Sequence, residues 1–199
     1  MRPLFLVGFA AATIGAQSPT PPAGAPSAIP SAAQQIAAAV LPLPAELRSG
    51  ATVMGYLEPG KLIVLRAGSN GMHCLALYVV RPDFHVACYH KGLEPFMARG
   101  RALRAEGVKG GQVDSVRFAE IKSGKLKMPT RGSLYTVTAK KDGFDPATNK
   151  VTGGGLLTVL YIPGATTEST GITSTPREEG PWLMFPGTPK AHVMMSGKM

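Results

Sequence analysis

The stretch "GMHCLALYVVRPDFHVACYHKGLEPF", Gly71 to Phe96, carries both cysteines and three of the four histidines of the 199-residue chain. Two β-rich runs flank Arg81-Pro82-Asp83, a turn signal. Pairing Cys74 with Cys88 centres an antiparallel hairpin on Arg81, so cysteine pairing and turn chemistry dictate the same register. Side chains alternate across a strand, which puts Cys74, Ala76 and Tyr78 on one face with Phe84, Val86 and Cys88. That face is apolar throughout and is expected in the core. Two cysteines in an exported chain usually bond to each other. Closing a loop of about 15 residues is worth about 3 kcal/mol in the chain-entropy model.

Downstream, "EPFMARGRALRAEG" reads as the main helix, about residues 94–106. Glu94 and Pro95 suit a first turn, Phe96, Met97, Gly100 and Leu103 recur at helical spacing, and Arg104 suits the last turn. Gly100 costs about 1 kcal/mol relative to Ala, so the helix either packs closely there or is weak. Upstream, "SAAQQIAAAVL" predicts a short helix capped by Ser31 and ended by Pro42 and Pro44. Its apolar residues are mostly Ala, which places it at the edge of the domain. "ATVMGYL" and "KLIVLRA" read as a hairpin around "EPG". "DSVRFAEI", "KLKM", "GSLYTVTAK", "GLLTVLYI", "PWLMF" and "AHVMM" read as strands, and "KDGFDPATNKVTGGG" and "PGATTESTGITSTPREEGP" as loops. One main helix and a short N-terminal one among many strands make a single α+β domain with a mainly antiparallel sheet.

The first 16 residues, "MRPLFLVGFAAATIGA", have the charge, apolar run and small-residue end of a secretory signal. That apolar run is far short of the ~20 residues that span a bilayer, so no transmembrane span is expected in the mature protein. Residues 17–33 are rich in Pro and Ala and read as a disordered spacer, leaving 34–199 as the single domain. The location implied is secreted or periplasmic.

The formal net charge is +9. Arg99, Arg101 and Arg104, then Lys122, Lys125 and Lys127, suggest a basic binding face. In an exported protein such a face suits an anionic envelope polymer, a lipid headgroup or an envelope protein. The groups lack the interleaved aromatic residues that stack on bases, which disfavours nucleic acid. Trp182, between Pro181 and the Phe185-Pro186 pair, is a candidate for stacking on a sugar or headgroup, with a plug at the end of the sheet as the plainer role.

Catalytic signatures are missing: there is no Gly-x-Ser-x-Gly, Ser-x-x-Lys or His-Glu-x-x-His. Asp114 and Ser115, as strand neighbours, would point to opposite faces. His73 faces Tyr89 in the hairpin register, about 13 Å along the strand from His85 at ~3.3 Å per residue, so those histidines do not form a pair. The reading that follows is a non-enzymatic exported binding module for an anionic envelope component or envelope protein, with no cofactor. The alternative is a metal-binding or redox protein in which Cys74, Cys88 and His90 hold zinc or copper as two thiolates and an imidazole. A hydrolase combining His192 or another histidine with a hydroxyl from the polar loop that holds Thr166, Thr167, Ser169 and Thr170 stands third.

Overall fold

An eight-stranded sheet in the order β2-β1-β3-β4-β5-β8-β10-β9 forms the frame of the protein, in a computed structural model that describes residues 29–198. The signal and most of the spacer read in residues 1–33 lie outside the described residues. The strands are β1 (Thr52–Glu58), β2 (Lys61–Arg66), β3 (Met72–Leu75), β4 (Phe84–His90), β5 (Gly132–Ala139), β8 (Gly155–Tyr161), β9 (Trp182–Met184) and β10 (His192–Lys198). A separate two-residue ribbon, β6 (Phe144–Asp145) and β7 (Lys150–Val151), folds within the segment read as a loop. All neighbours in the main sheet run antiparallel except β1 and β3, which pair in parallel over Thr52–Met54 and His73–Leu75.

The register read from the cysteines holds: Cys74 faces Cys88 and His73 faces Tyr89. β3 is shorter than the run suggests, because after Leu75 the chain tightens into a 3-10 turn over Leu77–Val79. Alternation gives the sheet two apolar faces. On one, the disulfide side, Val53, Cys74, Ala76 and Cys88 pack with Ala39, Val40 and Leu43, and Phe84, Val86 and Val137 pack with Ala38. On the other, Leu75, Tyr89, Val159 and Tyr161 pack with Leu93 and Phe96.

Helix α1 (Ala32–Ala39) covers the disulfide side. Ser31 and Gln34 form the reciprocal cap that starts it. It lies in the core and not at the edge: Gln35, Ala38 and Ala39 are each 0% exposed. Small side chains bring its backbone close to the sheet, and the Cys88 sulfur sits 3.1 Å from the Ala39 carbonyl oxygen. Gln35 then acts as a substitute strand. β3 pairs with β1 no further than Met54, and Gln35 takes over at Tyr56, accepting from its N–H at 2.8 Å and donating to its carbonyl at 2.7 Å. A short turn of helix, α2 (Ala45–Arg48), follows.

Two helices cover the other side. α3 (Glu94–Ala105) is the main helix expected from the sequence. α4 (Gln112–Lys122) occupies the segment expected as the strand "DSVRFAEI". Its inward stripe is Val113, Arg117 and Ile121, and a buried arginine in the middle hides the helical period, while Val116 and Phe118 imitate strand alternation. Asp114 and Ser115 are therefore helix neighbours. "KLKM" is no strand either: Leu126 and Met128 pack on the helical side of the sheet without joining a ladder. A last helical turn, α5 (Thr167–Thr170), sits in the long polar segment with Thr166 as its cap. The result is α+β as expected, with a second substantial helix. No described helix is long and apolar enough to cross a membrane.

Candidate functional site: a cationic cleft

Between the sheet and helices α3 and α4 lies a cleft of about 470 Å³. Its floor is one row of alternating side chains, Leu75, His85, Ala87, Tyr89, Leu134, Thr136 and Tyr161, which the strand registers bring to a single face. Phe96 and Met97 of α3 and Leu77 of the 3-10 turn extend the apolar lining. Around it stand five cations: Arg81 from the β3–β4 connection, Arg101 and Arg104 from α3, Arg117 from α4, and Lys190 before β10.

Each cation is positioned for a physical reason. Arg81 pairs with Asp83 at 2.8 Å. Arg101 donates to Glu94 at 2.5 Å and to the Tyr89 hydroxyl at 2.9 Å, and that hydroxyl donates in turn to Glu94. Burial, ahead of the Glu94 hydrogen bond, pushes the Tyr89 phenol up, so it stays a neutral donor. Arg117 is 4% exposed, sits over the Phe96 ring with its guanidinium carbon 3.7 Å from the centroid, and donates to the Phe96 carbonyl and to Asp114. Among the described residues its buried Nε–H has no partner. Lys190 donates to the other oxygen of Asp114 at 2.9 Å and sits 4.3 Å above the Phe185 ring. Among the described residues Phe185 is one of two non-glycine residues at positive φ (+52°), a conformation that costs energy and here holds the ring beneath the ammonium. Burial works to raise Asp114, yet hydrogen bonds from Lys190 and Arg117 outweigh it and hold the carboxyl below its ordinary value.

Arg104 is different. Its guanidinium donates only to the Gly100 carbonyl of its own helix, and among the described residues it has no carboxylate partner. Gly100 is the reason it fits: a Cβ there would lie 2.8 Å from Arg117 Nη1 and 3.2 Å from Arg104 Nη1. The glycine that weakens the helix on paper is a seat for two guanidinium groups. Five cations against Asp83, Glu94 and Asp114 leave a formal excess of two positive charges. Tyr161 completes the lining, and burial pushes its phenol up to about 12 despite the opposing charge of Arg117, so it remains a neutral hydrogen-bonding group. Burial, then the charge of Arg81, lowers His85, whose Nδ1 lies 2.8 Å from the Thr138 hydroxyl.

The residues singled out in the sequence are divided by the fold. Arg101 and Arg104 face the cleft. Arg99 points away and is gripped by Glu120 and Glu106, at 2.8 and 3.2 Å. Lys122, in the last turn of α4, and Lys125 and Lys127 beyond it stand exposed, with Lys125 3.9 Å from Glu120. Of these six, Arg101 and Arg104 line the cleft and the other four do not. Trp182 is half-buried on β9, the edge strand, opposite Met194, which fits the plainer role better than an open stacking platform. Cys74 and Cys88 are bonded, with an S–S distance of 2.09 Å, so neither sulfur is a thiolate, and the His90 ring accepts the Gly92 N–H. No group of three or more His, Cys, Asp or Glu among the described residues is arranged to hold a metal. His73 Nδ1 lies 3.8 Å from Glu94, beyond hydrogen-bond reach, His85 Nδ1 lies 2.8 Å from the Thr138 hydroxyl, and the His192 ring, tilted by 34° on Tyr161 at 4.9 Å, is bonded to the Lys190 carbonyl.

Arg81, Arg117, Lys190 and Tyr161 were not among the residues the sequence pointed to. Three of them lie in segments read as turn, strand and connection, and what joins them is tertiary. A second recess of about 350 Å³, lined by Tyr78, Phe84 and Phe144, carries one charge of each sign, Asp83 and Lys141, and lacks this polarity. Comparison of the chain with protein-family models, curated proteins and solved structures gives no match.

Proposed function

We propose that the protein is an exported, non-enzymatic binding module that takes the anionic group of an envelope component into the cleft between α3, α4 and the sheet. The observation that carries this reading is the convergence of five cations on one apolar-floored cleft whose carboxylates neutralise only three of them. Arg117 alone of the five is buried; Arg101 and Lys190 are half-buried and Arg81 and Arg104 are exposed, so the excess charge stands open to solvent at the cleft, where it favours an external anion. The disulfide supports an oxidising location, secreted or periplasmic.

The test is binding of the full chain to phosphatidylglycerol vesicles and to phosphatidylcholine vesicles at low and high salt. Anionic vesicles should bind, the neutral ones should not, and Arg104→Gln should lower the affinity roughly tenfold or more. Lys122→Gln with Lys127→Gln is the control, because those side chains are exposed and away from the cleft. An equal loss in that control would move the binding surface out of the cleft.

A further inference from the structure

Resting on that reading, we infer that the cleft recognises a phosphate monoester carried on an apolar chain, such as the head and first segment of a phosphorylated lipid. The charge excess of two matches a phosphate dianion better than a single carboxylate, which the cleft already supplies internally as Asp114. The donors match as well. Arg104 is exposed, with its guanidinium free apart from one bond to the Gly100 carbonyl, and among the described residues the buried Nε–H of Arg117, 4% exposed, has no partner. Arg104, Lys190 and the Tyr161 hydroxyl, all in the lining, are donors suited to a tetrahedral, three-oxygen acceptor.

Apolar side chains make up much of the remaining lining. Leu75, Leu77, Ala87, Met97 and Leu134 offer an apolar surface, interrupted by His85, Tyr89 and Thr136 on the same face of the sheet. Inorganic phosphate would leave that surface wet. A short alkyl chain would dry it, and 470 Å³ is within the range of about 300–1,000 Å³ typical of small-ligand sites. Lys190 adds the one cation whose reach is adjustable, since it shares Asp114 with Arg117 and can turn from that carboxylate to a ligand oxygen.

Calorimetric titration of the full chain with inorganic phosphate and with ethyl, butyl, hexyl and octyl phosphate tests the proposal, with octyl glucoside as the uncharged amphiphile. Affinity should rise with chain length by roughly fourfold per buried methylene until the floor is covered. Arg104→Gln should lower the whole series by one factor, and Met97→Ser should flatten the dependence on length. Equal affinity for inorganic and octyl phosphate would overturn the amphiphile while leaving the anion cleft intact. Octyl glucoside binding as tightly as octyl phosphate, untouched by Arg104→Gln, would overturn the phosphate. Failure of every phosphate in the series, together with vesicle binding that Arg104→Gln leaves unchanged, would remove the cleft reading itself.

Discussion

Gln35 is the side chain whose loss should be felt most out of proportion to its chemistry. It is 0% exposed, and its amide makes three hydrogen bonds: to the Pro30 carbonyl at 2.7 Å, to the Tyr56 carbonyl at 2.7 Å, and from the Tyr56 N–H at 2.8 Å. Gln35→Leu keeps most of the volume and removes all three. At about 1 kcal/mol net per bond the loss is about 3 kcal/mol. The two orphaned Tyr56 groups sit in a buried strand and add to this, and the extra apolar surface of Leu offsets about 1 kcal/mol. The expected destabilisation is therefore about 2–4 kcal/mol. In urea unfolding with the disulfide kept oxidised, at a slope of about 1–3 kcal/mol per M, the midpoint should fall by about 1–2 M. Gly55→Ala is the companion variant, because its new methyl would fall 2.3 Å from the Gln35 amide oxygen and displace the same group. Gln35→Glu should recover stability as the pH falls. A buried glutamic acid is held neutral with its pKa raised, so its contribution is complete below the unfolded value of about 4.3 and lost as the pH rises through the folded one. A Gln35→Leu midpoint within about 0.3 M of the parent would refute the idea that the side chain replaces a strand at Tyr56.

Replacing both Cys74 and Cys88 with Ala should cost about 3 kcal/mol in the same unfolding experiment, and a loss below about 1 kcal/mol would show that the loop is closed by packing alone. Gly100→Ala should raise helix propensity by about 1 kcal/mol yet weaken phosphate binding roughly tenfold, because the methyl enters the space of the Arg104 and Arg117 guanidinium groups; undiminished binding would dismiss Gly100 as their seat. Stability should also decline on acidification. Burial first, then the charge of Arg81, lowers His85, and burial lowers His192 against the raising effect of its bond to the Lys190 carbonyl. A folded pKa below the unfolded value of about 6.5 means fewer protons bound when folded, so the stability is complete above that value and lost as the pH falls through the folded ones. The urea midpoint should drop between pH 7.5 and 5, and His85→Gln with His192→Gln should flatten the drop. An unchanged slope would place the titration elsewhere.

The sequence disclosed what is local. The Cys74–Cys88 register followed from a short turn and a period of two, and α3 followed from Pro95, its apolar spacing and Arg104. α4 was missed because a helix stripe through a buried arginine carries no apolar period. α1 was placed too far out because alanine counts for little in transfer energy, although small size is what allows contact with the disulfide. The cleft was half legible. Successive helix residues turn by about 100°, so Arg99 and Arg101 point to nearly opposite sides while Arg104 rejoins Arg101. Grouping them by proximity in the chain concealed that division. Arg81, Arg117 and Lys190 meet through pairings and packings that span more than a hundred residues, and no local pattern announces them.

The sheet is continuous across eight strands only through β3, four residues long. On one side of it lies the β1–β2 hairpin, and on the other the block β4-β5-β8-β10-β9. The disulfide makes β3 a permanent member of the larger block, so the seam of the molecule is the three-residue parallel contact between β3 and β1. Helix α1, packed on β1 and β4 together, is the clasp over that seam. The hairpin should thus open ahead of the larger block, its amides exchanging with solvent faster than those of β4, β5 and β8. The ligand site lies wholly on the larger block and its helices, so occupancy by a ligand should slow exchange there and leave the hairpin's opening unaltered.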